Sequence, residues 1–356
     1  MKNRRKWMGM LAAMLVFGFT VMGCGAFTDM SKVSSYLSLA ERVGRDAGGP
    51  LPLAVKINLD ANWESLLSAI DRYGVRVNLD LSGSTMTNTE FNPGGSGSGN
   101  IVSLILPDSV TSISGDFNTF TNLANIRFPA SVDLGEGNPF IGCSSLTFNL
   151  RGRGDLSAIE NSRALVRGGS ELVSYPSATG SVTLNNITAI GRSAFNGTSL
   201  ESISLPAATS IGIRAFRGCE DLQEVNLPAA TAIGEEAFYG NTSLQTLNIP
   251  AAVTIDNSIA ANTGDTDLTI TVGPRLATIG TGMFSEVGVR KNVTVRAPQS
   301  EVENVTAIRD AFRGRGWNEN SFMLAAQRAT TTGGWWAQTV MVNNFNTNIN
   351  LTVEGY

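Results

Sequence analysis

The chain has 356 residues, of which 16% are charged and none is histidine, and its formal net charge at pH 7 is −4. Without histidine, Ser-His-Asp and Cys-His nucleophilic sites and histidine-ligated metals are excluded. An acidic chain is a poor ligand for nucleic acid, so we expect no nucleic-acid binding.

The first 23 residues have the pattern of a cleavable signal peptide. Four basic residues precede an apolar run, Met8 to Val21, that is too short for an ordinary transmembrane helix. The sequence Val21-Met22-Gly23-Cys24 is similar to a lipobox, with valine in place of the more usual leucine. The resemblance implies cleavage before Cys24 and lipidation of Cys24, which would anchor the chain to a membrane. The alternative is an ordinary secretory signal followed by an incidental cysteine.

Residues 24–52 are predicted to form a lipidated tether, and residues 53–78 an N-terminal cap. In the tether, the apolar spacing from Met30 to Val43 indicates a modest amphipathic helix. The cap has the pattern of a strand, a helix and a strand. Apolar and polar residues alternate from Leu53 to Leu59 and again from Val75 to Leu81, and between them the apolar residues from Trp63 to Ile70 have helical spacing. Such a segment would cover the end of the repeats that follow.

One pattern recurs three times between Val182 and Pro250. Each copy contains Ile-Gly, two intervening residues, Ala-Phe, a further leucine, an alternating aliphatic pair and a proline. The phenylalanines are Phe195, Phe216 and Phe238, which are 21 and 22 residues apart. A period of this length predicts a solenoid in which each coil packs on its neighbours.

Alternation within each copy indicates which side chains face the interior. Val225 and Leu227 alternate with Glu224 and Asn226, so the aliphatic pair should point inward and the polar pair outward. The proline that follows cannot donate to a sheet and should end the strand. Gly234, in the Ile-Gly pair, is predicted to provide a corner that a Cβ atom would hinder.

This repeat resembles the BspA-like leucine-rich repeat of bacterial surface lipoproteins. The matching residues in one copy are Ile211, Gly212, Phe216, Gly218, Cys219, Leu222, Val225, Leu227 and Pro228. The resemblance covers roughly residues 75 to 298, and it implies an α+β, predominantly β fold, a leucine-rich-repeat solenoid. It also implies adhesion, although a repeat fold accommodates many partners.

Ten short parallel strands are predicted in the solenoid, which we place at residues 79–298. Their inward pairs are Leu79/Leu81, Leu104/Leu106, Ile126/Phe128, Phe148/Leu150, Val182/Leu184, Ile203/Leu205, Val225/Leu227, Leu247/Ile249, Ile270/Val272 and Val293/Val295. At roughly 4.8 Å per strand they would form one sheet about 45 Å long. Residues 164–176, in the wide gap before Val182, are predicted to form a hairpin that projects from the solenoid.

Residues 299–356 are predicted to cap the C-terminal end of the solenoid. Ser300 and Glu303 form a capping box for a helix that ends at Gly314. Beyond it, Gln338 to Val342 and Asn348 to Val353 alternate like the strands of a hairpin.

No motif in the sequence indicates catalysis or a cofactor. Walker loops and dinucleotide fingerprints are absent, and the carboxylate pairs Glu220-Asp221 and Glu235-Glu236 fall at coil corners, where solvated side chains are the ordinary interpretation. We therefore predict no enzyme activity, no cofactor and no metal site, with an enzyme that uses carboxylates alone as the catalytic alternative. Cys143 and Cys219 occupy one repeat position about 15 Å apart, too far for a disulfide, and are predicted to be buried free thiols.

The outward side chains of the strands are the predicted binding surface. On the later strands they are Ser202/Ser204, Glu224/Asn226, Thr246/Asn248, Thr269/Thr271 and Asn292/Thr294. We select Glu224, Asn226, Thr246 and Asn248 as candidate binding residues for a protein or a glycan. The row lacks the tyrosine, tryptophan and arginine that dominate tight interfaces, which favours weak or multivalent binding. A solvated sheet face without a ligand is the alternative.

Arg153-Gly154-Asp155 is a second candidate binding site. It follows the strand from Phe148 to Leu150 in a glycine-rich loop, so it should be exposed and mobile. The tripeptide resembles the integrin-recognition sequence of adhesive proteins, in which arginine and aspartate are the charged ends of a short spacer. The same tripeptide also arises by chance, and most chance copies are inert.

These observations lead to one leading hypothesis and one alternative. The first is a lipid-anchored leucine-rich-repeat protein of the cell envelope, on the outer-membrane surface, that acts as an adhesin for host or extracellular-matrix proteins or for other cells. The alternative is a structural scaffold lipoprotein inside the envelope. Gly25 and Ala26 follow the lipobox cysteine without an acidic retention signal, which favours the outer leaflet.

Overall fold

The computed structural model describes residues 26–43, 49–95, 98–260, 267–273, 275, 278–279, 290–297, 337–344 and 347–355. The predicted lipoprotein signal, Cys24 and the predicted helix up to Gly314 lie outside these residues. Within them the chain is a mostly β solenoid with two α-helices, α1 (Met30–Val43) and α2 (Leu59–Tyr73). The predicted fold class is therefore confirmed. The chain divides into two compact units, which we call unit 1 and unit 2.

Unit 1 comprises Met1–Gly135 and Gly142–Arg163. Its strands are β1 (Leu51–Ala54), β2 (Val77–Asp80), β3 (Glu90–Phe91), β4 (Ile101–Ile105), β5 (Ser112–Ile113), β6 (Asn125–Pro129), β7 (Thr147–Arg151) and β8 (Leu156–Ile159), with a short 3₁₀ helix at Ser98–Asn100. Strands β1, β2, β4, β6 and β7 form a parallel sheet in that order, and β3 pairs with β5. The Cα partners across it include the buried residues Leu79, Leu104, Ile126 and Phe148, which confirms the first four predicted strands.

The predicted strand, helix and strand precede the repeats, but the first strand is shorter than expected. β1 ends at Ala54 rather than Leu59, because the Asn58 side chain accepts a hydrogen bond from the Ala61 N–H at 3.3 Å and so starts α2. Gly74 ends α2 with φ 57°, in the left-handed region that favours glycine. β1 lies at the edge of the unit 1 sheet, the position at which a cap would be expected.

Residues 26–43, which lie within the predicted tether at residues 24–52, belong to unit 1. α1 has the predicted bounds, and its side chains Val33 and Leu37 are completely buried. The Phe27 N–H donates to the Ala54 carbonyl at 2.9 Å, and the Phe27 carbonyl accepts from the Lys56 N–H at 2.7 Å. The segment is held by the apolar face of the helix, which is removed from water, and by backbone bonds at the sheet edge.

Unit 2 comprises Glu136–Ile141 and Ala164–Tyr356. Its strands are β9 (Ala164–Arg167), β10 (Glu171–Ser174), β11 (Thr179–Thr183), β12 (Ala189–Ile190), β13 (Ser199–Ser204), β14 (Ser210–Ile211), β15 (Glu224–Asn226), β16 (Ala232–Ile233), β17 (Thr246–Ile249), β18 (Thr254–Ile255), β19 (Leu268–Val272), β20 (Thr278–Ile279), β21 (Arg290–Ala297), β22 (Ala337–Asn344) and β23 (Thr347–Gly355). Sheet A has the order β11, β13, β15, β17, β19, β21, β23, β22 and is parallel except for the last pair. In sheet B, strands β9, β10, β12, β14, β16, β18 and β20 are neighbours in that order.

All ten predicted strands are present, but they belong to two sheets. Four of them, β2, β4, β6 and β7, lie in the unit 1 sheet, and six, from β11 to β21, lie in sheet A. The prediction of one sheet about 45 Å long is therefore wrong. After β7 the chain enters β8 and then the hairpin of β9 and β10 before the next long strand, β11, begins.

The hairpin predicted at 164–176 is formed by β9 and β10, but it does not project from the solenoid. The strands are antiparallel, with Arg167 opposite Glu171, and Gly168 and Gly169 take positive φ in the turn. The apolar side chains of both strands are buried, and β10 pairs with β12. Because these side chains must leave water, the hairpin forms part of sheet B.

β22 and β23 form a C-terminal hairpin, as the alternation predicts, and β23 runs parallel to β21. The register of β21 differs from the predicted one. Thr269 and Thr271 lie opposite Thr294 and Arg296, rather than opposite Asn292 and Thr294. Because β21 spans eight residues, alternation alone permits this shift of two positions.

The core of unit 2 contains a column of stacked rings, which we call the ring column. Its centroid distances are 5.8 Å for Tyr175 and Phe195, 5.0 Å for Phe195 and Phe216, and 5.2 Å for Phe216 and Phe238. The last two pairs have interplanar angles of 10° and 7°. Four successive coils each contribute one ring to the column, and three of these rings are the phenylalanines that repeat in the sequence.

The glycine of each Ile-Gly pair permits close stacking of the coils. A Cβ atom on Gly234 would lie 2.8 Å from the carbonyl carbon of Gly212 in the preceding coil. As predicted, this position has no room for a Cβ atom. The cause is the close stacking of the coils and not a turn that requires glycine. In each of these coils another residue of the corner takes the left-handed conformation. These residues are Ser193, Arg214, Glu236 and Ser258, with φ from 53° to 58°.

Candidate binding surfaces

Sheet A presents two outward columns of residues, which we call the polar columns. The first contains Ser181, Ser202, Glu224, Thr246 and Thr269, and the second contains Thr183, Ser204, Asn226, Asn248 and Thr271. Between the two columns, Ile203, Val225, Leu247 and Ile270 are buried, as the two-residue period of a strand requires. The fold thus brings the four predicted binding residues together on the adjacent strands β15 and β17.

Side-chain hydrogen bonds hold the polar columns in order. In the first column, the Ser202 hydroxyl donates to the Ser181 hydroxyl at 2.8 Å. In the second, Asn248 Nδ2 donates to Asn226 Oδ1 at 2.7 Å, and Asn226 Nδ2 donates to Ser204 Oγ at 3.3 Å. These bonds link neighbouring coils, so the amide and hydroxyl groups are oriented before any ligand arrives.

The polar columns are almost uncharged. From β11 to β19, Glu224 is the one charged residue at these positions. The side chains are exposed or half-buried, and they include no tyrosine, tryptophan or arginine over the same strands. Such a face can make many hydrogen bonds but has no large anchor, so it suits repeated and individually weak contacts.

Arg153-Gly154-Asp155 lies in the loop between β7 and β8 of unit 1, and all three residues are exposed, as expected. Backbone hydrogen bonds hold the residues at both ends of the loop, and its mobility remains a prediction. The Ala130 N–H donates to the Arg151 carbonyl at 2.7 Å, and the Leu156 N–H donates to the Ala130 carbonyl at 3.1 Å. A Cβ atom on Gly154 would collide with the Ala130 carbonyl group. Glycine is required here because two backbone segments approach closely.

A groove of about 700 Å³ lies beside this loop in unit 1. Its polar lining consists of Asn125, Thr147, Asn149, Ser157, Asn161 and Ser162. The turn at its rim contains three consecutive left-handed residues, Glu160, Asn161 and Ser162, with φ of 52°, 56° and 66°. No sequence motif marks this turn, because none of the three residues is glycine.

Cys143 and Cys219 are buried free thiols, as predicted. The Cys219 sulfur lies 3.1 Å from the Phe195 carbonyl oxygen, and the Cys143 sulfur lies 3.4 Å from that of Phe117. Burial raises the pKa of the Cys143 thiol to about 12 and also raises the pKa of Cys219. Both thiols belong to the core and are unsuited to nucleophilic chemistry.

The carboxylate pairs at the coil corners differ in their surroundings. Glu220 and Asp221 are exposed, whereas Glu236 Oε2 accepts hydrogen bonds from Arg214 Nε at 2.8 Å and from Arg217 Nη1 at 3.1 Å. Over the part of the chain that the structure describes, no group of three or more Cys, Asp or Glu residues is placed to hold a metal ion. Among those same residues, the helices are too short or too polar to cross a membrane.

The model of the BspA-type leucine-rich repeat region matches residues 96–163 and 182–309 of this chain, in six copies. None of the curated proteins matches the chain. Among solved structures, a leucine-rich cell surface protein from Faecalibacterium prausnitzii A2-165 is 22% identical with a TM-score of 0.49, over 71% of this chain and 66%, just under two thirds, of that chain. The pneumococcal vaccine antigen PcpA is 15% identical with a TM-score of 0.47, over 73% of this chain and 75% of that chain. Because the repeat model matches more than half of its residues, the chain belongs to the BspA-type leucine-rich repeat family.

Proposed function

We propose that the protein is a lipid-anchored, surface-exposed leucine-rich-repeat protein that binds proteins of host cells, extracellular matrix or other cells. The observation that carries the proposal is the pair of polar columns on sheet A, where Glu224, Asn226, Thr246 and Asn248 occupy adjacent strands. Cys24 would supply the anchor. A scaffold inside the envelope is the alternative, and the location of the solenoid separates the two.

The mechanism follows from the repeat. Successive coils present equivalent groups at about 4.8 Å intervals, so a ligand that lies along the sheet meets one pair of side chains per strand. The amide ladder from Ser204 through Asn226 to Asn248 fixes donors and acceptors in advance, which reduces the entropy lost on binding. Affinity then comes from the number of coils in contact rather than from one anchor residue.

A double substitution on the second polar column tests this proposal. Asn226→Lys with Asn248→Lys removes the amide ladder and places two cations on the face. Thr209→Lys with Thr231→Lys, at exposed positions outside the columns, is the matched control. Attachment of beads that carry each full-length protein to cultured epithelial cells and to cell-derived matrix is measured. We expect the first variant to lose attachment and the control to keep it; equal attachment would contradict the role of the columns.

Integrin-type recognition through Arg153-Gly154-Asp155 is a second candidate, favoured by the exposure of the tripeptide on a loop held by backbone bonds. Asp155→Glu keeps the charge but lengthens the side chain. We expect it to lose the part of cell attachment that a free Arg-Gly-Asp peptide blocks, while Asp221→Glu, an equivalent change at an exposed aspartate of unit 2, keeps it. Unchanged peptide-sensitive attachment of the Asp155 variant would rule this candidate out.

A further inference from the structure

The large anchor residues that the polar columns lack are present at the corners of the coils. Arg214, Arg217, Glu236 and Tyr239 form one cluster on two successive coils of unit 2, which we call the Arg-Tyr corner. The Arg217 guanidinium lies over the Tyr239 ring, 4.8 Å from its centroid, and donates to Glu236. Arginine and tyrosine are enriched among the residues that dominate protein interfaces.

The backbone of the Arg-Tyr corner is fixed by the solenoid. Arg214 and Glu236 occupy the left-handed position of their coils, with φ of 58° and 54°. The Arg214 N–H donates to the Glu235 carbonyl at 2.9 Å, and the Glu236 N–H donates to the Asn257 carbonyl at 3.0 Å. Every coil from Ser193 to Ser258 has this conformation, so the fold imposes it and places the Arg214 and Glu236 side chains on adjacent coils within hydrogen-bond distance.

Both arginines keep hydrogen-bond donors for a ligand. Arg214 uses Nε and Arg217 uses Nη1 to bind the same oxygen of Glu236, and the other guanidinium N–H groups of both residues have no partner among the described residues. The two side chains are 43% and 37% exposed. Two guanidinium groups share one carboxylate, so the cluster carries one net positive charge on an acidic chain. A second carboxylate can bind there without displacing Glu236.

We propose that the Arg-Tyr corner binds a carboxylate in an acidic segment of a partner protein, with the Tyr239 ring as an adjoining apolar contact. The site rests on the proposed function only in that the chain binds a protein; it does not depend on the polar columns. A single net positive charge beside an aromatic ring fits a peptide carboxylate better than a sulfated polysaccharide, whose dense charge requires many cations.

Binding of a fluorescent oligo-glutamate peptide to the purified full-length protein tests the site, with an oligo-glutamine peptide and a heparin fragment as comparison probes. We expect binding of oligo-glutamate that weakens with salt and falls about tenfold in Arg217→Ala, because both the donor and the stacked cation are lost. Arg217→Lys keeps the charge without the planar stack and should lose part of the affinity. Arg76→Ala, which removes an exposed arginine of unit 1 outside the candidate sites, should leave the affinity unchanged.

Three results would overturn the assignment. The first is that the unaltered protein does not bind oligo-glutamate, and the second is that Arg217→Ala and Arg217→Lys bind it as tightly as the unaltered protein does. The third is that the heparin fragment binds more tightly than the peptide. Thermal unfolding of each variant separates a lost contact from a lost fold, and Arg217→Lys provides a variant that preserves the ion pair. Unchanged cell attachment of the polar-column double variant, together with an intact peptide site, would reject the proposed role of the columns without rejecting this site.

Discussion

At the scale of single residues, the spacing of the coils depends on glycines that have no room for a Cβ atom. Gly212 and Gly234 pack against the backbone of the preceding coil, and a Cβ atom on either would lie 2.8 Å from backbone atoms. A clash with backbone cannot be relieved by a change of rotamer, so the coils themselves would have to move apart.

Gly234→Ala is therefore expected to destabilise the protein by about 3 kcal/mol, the upper end of the range for overpacking. Gly137→Ala is the matched control, because a Cβ atom there meets no atom within 4 Å and its φ is ordinary. We expect the control to change the free energy of unfolding by less than about 0.5 kcal/mol. Urea unfolding followed by circular dichroism measures both, and equal midpoints for the two variants would contradict the stacking role.

The Cys143 thiol predicts a loss of stability at alkaline pH. Its pKa rises from the ordinary 9.0 to about 12, chiefly because burial disfavours the thiolate. The folded state therefore binds the thiol proton more tightly than the unfolded state does. The contribution of this thiol to the free energy of unfolding is fully present below pH 9 and is lost as the pH rises from about 9 to 12. In Cys143→Ala the free energy of unfolding should decline less steeply over this pH range, with a slope smaller by up to roughly 1.4 kcal/mol per pH unit. Parallel curves of stability against pH for the two proteins would reject this linkage.

At the scale of elements, the ring column joins successive coils of unit 2. Phe216 stacks on Phe195 on one side and on Phe238 on the other, and all three side chains are completely buried. In a solenoid the interface between neighbouring coils supplies much of the stability, because one coil cannot bury its own apolar face.

Phe216→Ala removes the central ring and should destabilise unit 2 by about 3–5 kcal/mol through the cavity and the two lost contacts. Phe216→Leu fills more of the space but cannot stack, so we expect an intermediate loss. The free energy of unfolding in urea measures both variants. A cost for Phe216→Ala no greater than that for Phe216→Leu would show that ring stacking and packing volume do not determine this contact.

The two α-helices and the strands of the unit 1 sheet and sheet A were largely predictable from the sequence, and the two-residue strands were not. Alternation identified the strands around Leu79 and Val225, and apolar spacing gave α1 its bounds at Met30–Val43. The two-residue strands of sheet B, such as β12 and β14, are too short to produce a period. The assignment of the ten strands to two sheets is likewise not specified by alternation within each strand.

The candidate sites show the same limits. The outward position of Asn226 and Asn248 follows from the two-residue period, but their hydrogen bond depends on a register that only the fold supplies. The Arg-Tyr corner was not predictable, because Arg214 and Glu236 lie 22 residues apart and occupy a left-handed position that sequence patterns assign to glycine.

At the scale of the whole molecule, the two units present different candidate surfaces. Unit 1 has the exposed Arg153-Gly154-Asp155 loop, and unit 2 has the polar columns and the Arg-Tyr corner. The polar columns offer many weak contacts, and the corner offers one anchor of the kind that determines affinity at protein interfaces. This combination of surfaces is the basis of the proposed protein-binding function.

The most direct measurement is protease treatment of intact cells that produce the protein, followed by detection of the solenoid with an antibody and of a periplasmic protein as the control. For a lipid-anchored protein on the cell surface, we expect loss of the solenoid while the periplasmic control remains intact, and loss of fatty-acid labelling when Cys24 is replaced by serine. Complete protection of the solenoid in intact cells, with cleavage only after the envelope is opened, would contradict the surface location and support a scaffold inside the envelope.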